Sequence, residues 1–152
     1  MPKVLIWDSN DEPPQTNEGD LTICWKGYRL FEEKSITSVL LLVENNAAEL
    51  RHAYLTWIQN IGDCLIEGKS IVNHLNIRKD FSFWWTTLIS EKSNFSKSPQ
   101  IDDIIRIIAV NKFVYDSSVF DSIEVVSDKK SLASYFKNFA AEKKNKVPLE
   151  KA

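Results

Sequence analysis

The chain has 152 residues, a length typical of a single globular domain. Hydrophobic residues make up 43% and charged residues 26%, with only four glycines and five prolines, which is typical of a folded protein and argues against linkers or disorder. The formal net charge of -2 gives no electrostatic reason to expect nucleic acid or an acidic membrane as a partner.

The two cysteines, Cys24 and Cys64, are distant in sequence, and neither belongs to a Cys-x-x-Cys or Cys/His cluster. This spacing predicts free, buried thiols and no metal site. The apolar run Val4–Trp7 is too short for a signal peptide, and no stretch approaches the roughly 20 apolar residues of a membrane span. We therefore expect a cytoplasmic protein without a transmembrane segment.

Two strands are predicted in the first third of the chain. Lys3–Trp7 is short, rich in aliphatic residues and without a helical period. The polar residues 8–20 that follow predict an exposed loop. The continuous apolar run Ser38–Val43 predicts a second strand that is buried on both faces, as in a parallel sheet.

The segment between these strands has two interpretations. Leu21–Trp25 and Tyr28–Phe31 flank a Lys-Gly pair and could form a β-hairpin. Alternatively, Lys26–Glu33 is a loop that leads into the next strand. The composition does not decide between the two.

The middle of the chain has helical periodicity. Asn46 is a predicted N-cap, and Glu49 completes a capping-box pattern before a long amphipathic stripe. Ser70 is a predicted cap of a short helix, and Ser82 is a predicted cap of a helix that runs to about Lys92. These elements predict a large helical insert between the second strand and the last one.

The last third of the chain begins with a strong helix start, since Ser98 precedes a proline at the first helical position. A third strand is predicted over Ser122–Val126, and Asp128 is the predicted cap of a final helix. The order of elements predicts an α/β fold with a small, mostly parallel sheet. We expect one domain over residues 1–141 and a lysine-rich, frayed tail over residues 142–152.

Few polar side chains suggest chemistry. Asp8 follows the first strand directly, so it could orient a sugar hydroxyl at the carboxyl edge of a sheet, or it could simply cap a turn. No Gly-x-Gly-x-x-Gly or Walker motif follows, so we expect no nucleotide cofactor. His52 and His74 lie on different predicted helices and predict surface or half-buried roles. Helix N-terminal electrostatics accounts for the adjacent Asp102 and Asp103.

The pair Trp84-Trp85 is the most distinctive feature of the chain. Adjacent residues of a helix point about 100° apart, so both rings cannot form one flat platform for a sugar. Phe81 and Leu88 extend the stripe of Trp84, which favours a core position. We expect one ring in the core and the other facing a groove, with sugar stacking as the alternative role.

Four segments carry a resemblance to a known family. Two segments resemble a group of bacterial surface-carbohydrate biosynthesis proteins. The first is Phe81–Ser93, which contains the Trp-Trp and Glu-Lys pairs, and the second is Lys97–Ile101, which contains the Ser-Pro helix start. Tyr54–Gly62 and Val125–Asp128 are similar to the same group. The proteins of this group accompany lipopolysaccharide O-antigen and capsule genes, and the resemblance covers roughly residues 38–140.

The resemblance implies a glycosyltransferase-like protein with two Rossmann-like halves, several times longer than this chain. It implies that this chain corresponds to the N-terminal lobe, which receives the acceptor, and lacks the lobe that binds the sugar nucleotide. The expected sheet is therefore small and Rossmann-like. The expected partners are a sugar acceptor and a second lobe or partner protein, and we expect no activity from this chain alone.

Transfer of a sugar requires a general base for the acceptor hydroxyl. The resemblance and the residue types suggest Asp8 and Glu91 as bases, with Trp85, Lys92 and Ser93 lining the acceptor cleft. Two alternatives stay open. The chain could be a non-catalytic module that docks on a partner through an apolar helical face, or a small carbohydrate-binding protein that uses one of its paired tryptophans.

Overall fold

A computed structural model describes residues 2–28, 35–87, 89–90, 99–115 and 120–146. Its strands are β1 (Lys3–Asp8), β2 (Leu21–Cys24), β3 (Ile36–Ser38), β4 (Leu65–Ile66), β5 (Lys69–Ser70), β6 (Asn76–Arg78), β7 (Phe81–Ser82) and β8 (Ser122–Ser127). Its helices are α1 (Val39–Asn45), α2 (Ala47–Asp63), α3 (Ile71–His74), a 3-10 helix (Phe83–Thr86), α4 (Pro99–Val110), a π-helix (Asn111–Tyr115) and α5 (Lys130–Lys146).

The chain divides into two compact units. One comprises Met1–Asn45 with Ala109–Ala152, and the other comprises Asn46–Ile108. The first contains a four-stranded sheet in the order β3-β2-β1-β8, and all its strand pairs are parallel. The expectation of an α/β fold with a small parallel sheet is therefore confirmed. The single domain over residues 1–141 stays a prediction.

One face of the sheet is covered by α5. Val4, Ile6 and Asp8 of β1 share this face, because alternate residues of a strand point the same way and the β8 partners of Val4 and Ile6 line a pocket with α5. All three are buried. Trp25, just after β2, meets Phe136 of α5 edge to face, with ring centroids 5.9 Å apart. The core of this unit therefore lies between the sheet and α5.

The opposite face of the sheet is more open. Leu5 and Trp7 of β1 are half-buried there, and Val126 of β8 is exposed. The loop 9–20 lies against this face, since the Lys3 amide donates to Asp20 Oδ1 at 2.8 Å. Between this loop and the strands, part of the parallel sheet stays accessible to solvent.

The structure bears on two interpretations near β2. Its two edges are paired with β1 and β3, which leaves no edge for the hairpin alternative with Tyr28–Phe31, and residues 29–31 lie outside the described part of the chain. The predicted strand Ser38–Val43 is instead the end of β3 followed by α1. A short apolar run fits either structure, and the Ser38 hydroxyl accepts the Leu40 amide at 3.3 Å, which favours the helix start.

The second unit contains α2, α3 and two small antiparallel hairpins, β4-β5 and β6-β7. Asn46 is the N-cap of α2 as predicted, but its side chain makes no capping hydrogen bond. Ser70 caps α3 as predicted, through the Asn73 amide. The predicted insert is thus only partly helical.

The Trp-Trp segment forms a single 3-10 turn. Ser82 caps it by accepting the Trp84 amide, as expected, but the turn ends at Thr86 and the backbone is extended at Thr87. The prediction of a helix that runs to about Lys92 is therefore wrong for those residues of it that the structure describes. Trp84 is buried at 4% exposure and Trp85 is 56% exposed, which confirms one core ring and one outward ring.

The predicted helix start at Pro99 is confirmed as the first residue of α4, while Ser98 lies outside the described residues. The final helix starts two residues after Asp128, at Lys130, and the Lys129 amide donates to Ser127 Oγ. Both cysteines are free thiols, as expected, but only Cys24 is buried. Over the described ranges, no helix has the length and apolar character needed to cross a membrane.

Candidate functional site

The candidate site lies at the carboxyl edge of the parallel sheet. Asp8 ends β1 and Ser127 ends β8, and the two residues are partners in register. The Ser127 hydroxyl donates to Asp8 Oδ2 at 2.6 Å. β2, the next strand in sequence, lies on one side of β1, and β8 lies on the other side. The strand order therefore reverses at β1. Ligands of open α/β sheets bind at such a reversal.

The carboxylate of Asp8 is buried and only partly satisfied. The residue is 2% exposed, and no hydrogen bond among the described residues reaches its Oδ1 atom. The Lys26 ammonium lies 3.7 Å from Oδ1. A buried carboxylate is costly unless it is paired and hydrogen-bonded, and this one keeps an oxygen that can accept another hydrogen bond.

Ser127 links the carboxylate to the start of α5. Its hydroxyl donates to Asp8 and accepts the Lys129 amide at 3.0 Å. The single hydroxyl therefore fixes the carboxylate relative to the first turn of a 17-residue helix. The positive end of the helix dipole also favours a negative charge near this end of the sheet.

A small cavity of about 120 Å³ opens where β1 and β2 end. Its lining combines one aromatic ring with polar and charged groups: Trp7, Ser9, Asn10, Asp11, Pro13, Cys24, Lys26 and Gly27. Lys26 belongs both to this lining and to the ion pair with Asp8. Gly27 has a φ of 73°, a backbone conformation that glycine adopts without strain, so the chain can turn sharply after Lys26.

The five residues predicted for the site have different outcomes. Asp8 lies at the carboxyl edge as expected, and its role as a base stays a prediction. Trp85 is exposed but belongs to the other compact unit. Glu91, Lys92 and Ser93 lie outside the described residues, and their roles stay predictions.

Sequence reasoning missed Lys26 and Ser127. The sequence alone places Lys26 in a hairpin turn or a loop and gives no role to Ser127. Lys26 follows β2 and Ser127 ends β8, the two strands that flank β1, and this position becomes a signal only once the strand order is known. Reading it requires the strand order, which pairs β1 with a strand more than 110 residues later in the chain.

The other ionisable candidates have structural roles or lie on the surface. His74 Nε2 lies 2.7 Å from the Ile66 carbonyl of the adjacent hairpin, and His52 is exposed on α2. Asp102 lies in the first turn of α4, and Asp103 lies 4.0 Å from Arg106. In the part of the chain that the structure describes, no group of three or more His, Cys, Asp or Glu side chains could hold a metal ion.

The chain was compared with protein-family models, with curated proteins and with solved structures. None of them matches it. The candidate site therefore rests on the geometry of Asp8, Lys26 and Ser127 alone.

Proposed function

We propose that this chain is the acceptor-binding, Rossmann-like domain of a glycosyltransferase-like protein of bacterial surface polysaccharide synthesis, either lipopolysaccharide O-antigen or capsule. The acceptor sugar binds at the carboxyl edge of the sheet. The domain works together with a lobe that binds the sugar nucleotide and does not transfer sugar alone. The parallel order β3-β2-β1-β8, with its reversal at β1, supports the Rossmann-like assignment.

One observation carries the proposal. Asp8 is a nearly fully buried acid at the strand-order reversal, and one of its oxygens accepts no described hydrogen bond. A purely structural acid at this depth would be expected to have both oxygens satisfied. A sugar hydroxyl is a neutral hydrogen-bond donor and would supply the hydrogen bond that Oδ1 lacks.

The chemistry of the site fits an acceptor hydroxyl. Ser127 binds Oδ2 and fixes the orientation of the carboxylate, so the buried Oδ1 is the oxygen left to accept a hydroxyl. A hydroxyl that donates to Oδ1 becomes a better nucleophile as Asp8 takes its proton during transfer. The Lys26 ammonium, 3.7 Å from Oδ1, balances the charge of the carboxylate and can also contact an acceptor oxygen.

Deletion of the gene tests the proposal in the bacterium that carries it. We expect the deletion to shorten or abolish the surface polysaccharide on gels. The wild-type gene and Asp63→Asn, a change at an exposed acid that ends α2, should restore it. Asp8→Asn should not restore it at equal protein level. An unchanged polysaccharide in the deletion strain, or full restoration by Asp8→Asn, would overturn the proposal.

A second candidate function is a non-catalytic interaction module. Five large apolar side chains are exposed within a short stretch of the second unit: Leu65, Ile66, Ile77, Phe83 and Trp85. Exposed apolar side chains at this density are typical of a surface that contacts a partner. Sedimentation of the isolated chain as a monomer at high concentration, with no binding of an apolar dye, would count against this function.

A further inference from the structure

We propose that the open face of the sheet carries a second sugar subsite, so that the acceptor is an oligosaccharide and not a single sugar. This inference rests on the proposed function. The terminal sugar of the acceptor lies at the carboxyl edge, beside Lys26 and Asp8, and the next sugars lie along β1 against Trp7. The open face is a different region from the carboxyl edge, and its lining shares only Trp7 with the cavity there.

A groove of about 260 Å³ runs over this face. Its floor and walls come from three parts of the same unit, namely β1 and β2, β8, and the loop 9–20. The lining residues are Lys3, Leu5, Trp7, Pro14, Gln15, Thr16, Asn17, Asp20, Thr22, Glu124 and Val126. The volume is just below the roughly 300 Å³ at which pockets for small molecules begin, which suits one or two sugar rings.

The loop wall of the groove is fixed to the sheet at its far end. The Lys3 amide donates to Asp20 Oδ1 at 2.8 Å, and the Thr16 and Thr22 hydroxyls lie 3.4 Å apart. The turn before Asp20 closes with its amide on the Asn17 carbonyl at 3.1 Å. The groove is therefore formed before a ligand arrives, which lowers the entropic cost of binding.

The lining suits a neutral, polyhydroxylated ligand. The Trp7 indole is half-buried, and its Nε1–H donates to the Asp11 carbonyl at 3.1 Å, which fixes the ring. Aromatic faces pack against the C–H side of a pyranose ring. Gln15 and Glu124 are exposed beside it as hydrogen-bonding groups. Lys3 Nζ pairs with Glu124 Oε2 at 3.1 Å, and Asp20 accepts the Lys3 amide, so the lining carries only one net negative charge.

Trp7 joins the groove to the carboxyl edge. It lines both the groove and the small cavity that contains Lys26. The distance along β1 from Trp7 to Lys3 is about 13 Å at roughly 3.3 Å per residue, which is longer than one sugar ring. Asp8 and Trp7 point to opposite faces of the sheet, so the glycan passes over the strand end, through the cavity beside Lys26, and continues past Trp7 along the open face.

The experiment is an NMR titration of the full chain labelled with ¹⁵N. One probe is the oligosaccharide fraction released by mild acid from the surface polysaccharide of the same bacterium, and the other is the monosaccharides from its complete hydrolysis. The signals to follow are the Trp7 indole N–H and the Gln15 and Thr16 amides for the groove, and the Lys26 and Ser127 amides for the edge. We expect the oligosaccharides to shift both sets, with an affinity at least about tenfold above that of the monosaccharides.

Three variants locate the subsite. Trp7→Leu, which keeps an apolar side chain but removes the aromatic face, should lower oligosaccharide affinity at least about fivefold. Gln15→Ala should lower it about twofold to threefold. Gln59→Ala, at an exposed glutamine on α2, is the matched control and should not change it. Gln15 is exposed, so its variant decides the question even if Trp7→Leu does not fold.

The outcomes separate this inference from the proposed function. Shifts confined to the edge amides, with equal affinity for both probes, would overturn the groove subsite and leave the proposed function intact. Shifts confined to the groove would retain a sugar subsite there and contradict the role of Asp8. Unchanged oligosaccharide affinity in Gln15→Ala, or in a folded Trp7→Leu, would also overturn the subsite.

Discussion

Asp8 and Ser127 show how a single hydrogen bond can define a site. An acid at the end of a central strand costs free energy to bury, and the Ser127 hydroxyl offsets part of that cost at 2.6 Å. Lys26 contributes opposite charge on the other side of the carboxylate. These three residues lie far apart in sequence, and the parallel register brings them together.

Removing the Ser127 hydroxyl should destabilise the fold. Ser127→Ala leaves Asp8 Oδ2 buried without its donor, which we expect to lower the free energy of unfolding by about 1–3 kcal/mol. Ser134→Ala, at an exposed position on α5, is the matched control and should change it by less than about 0.5 kcal/mol. Urea unfolding measures both. Equal stabilities of the two variants would contradict the importance of the hydrogen bond.

Tyr54 should make stability depend on pH in the alkaline range. Burial raises the pKa of its phenol, so the unfolded chain releases that proton at a lower pH than the folded chain does. The stabilisation is complete below about pH 10, the ordinary pKa of tyrosine, and is lost as the pH rises toward the folded pKa. The free energy of unfolding should therefore fall above pH 10.

The Tyr54→Phe variant isolates this effect. At neutral pH it should be less stable by about 0.5–1.5 kcal/mol, because it loses the hydrogen bond from the hydroxyl to the Ile89 carbonyl. Above pH 10 its stability should fall less steeply than that of the wild type, so the two curves should converge. Parallel curves from pH 8 to pH 11 in urea titrations would contradict the raised pKa.

Among the elements, the 3-10 turn that carries the two tryptophans is held by its contact with α2. A Cβ atom at Gly62 would lie 3.2 Å from Trp84 Nε1 and 3.0 Å from a methyl group of Val72. Gly62 is therefore required for close packing, although glycine weakens a helix. Burial of the Trp84 ring depends on this gap in the surface of α2.

Gly62→Ala should destabilise the protein even though alanine favours helices. The crowding of Trp84 is expected to cost about 1–3 kcal/mol, more than the roughly 1 kcal/mol gained in helix propensity. Asn60→Ala, an exposed change two residues away, gains propensity without a clash and should be neutral or slightly stabilising. Thermal unfolding measures both. Adding Val72→Ala to Gly62→Ala should restore only part of the lost stability, since Trp84 still crowds the new methyl group.

Most elements could be predicted from local chemistry, and the errors have physical causes. The sequence predicts the caps at Ser70 and Ser82 and the proline start of α4 correctly, because each depends on neighbouring residues. The apolar run after Ser38 predicts a strand but forms α1, since a fully apolar run has no period that separates helix from strand. The turn after Ser82 is shorter than the predicted helix, because the backbone becomes extended at Thr87.

For the molecule as a whole, the sheet topology determines the candidate site. Asp8 could be chosen from the sequence because it ends a buried strand. Ser127 and Lys26 could not, because their proximity depends on β8 crossing to the far side of β1 and on β2 pairing in parallel. The open face of the sheet was equally hidden, since the alternation of polar and apolar residues does not reveal which face α5 covers.

The claim that Asp8 receives a sugar hydroxyl can be tested directly by binding. Isothermal titration would compare wild type, Asp8→Asn and Asp63→Asn with monosaccharides from the surface polysaccharide of the same bacterium. Asp8→Asn should lose at least about tenfold in affinity, since a charged acceptor is replaced by a neutral amide beside Lys26. Asp63→Asn should bind like the wild type. Equal binding by Asp8→Asn and wild type, or no binding by the wild type at millimolar sugar, would contradict the claim.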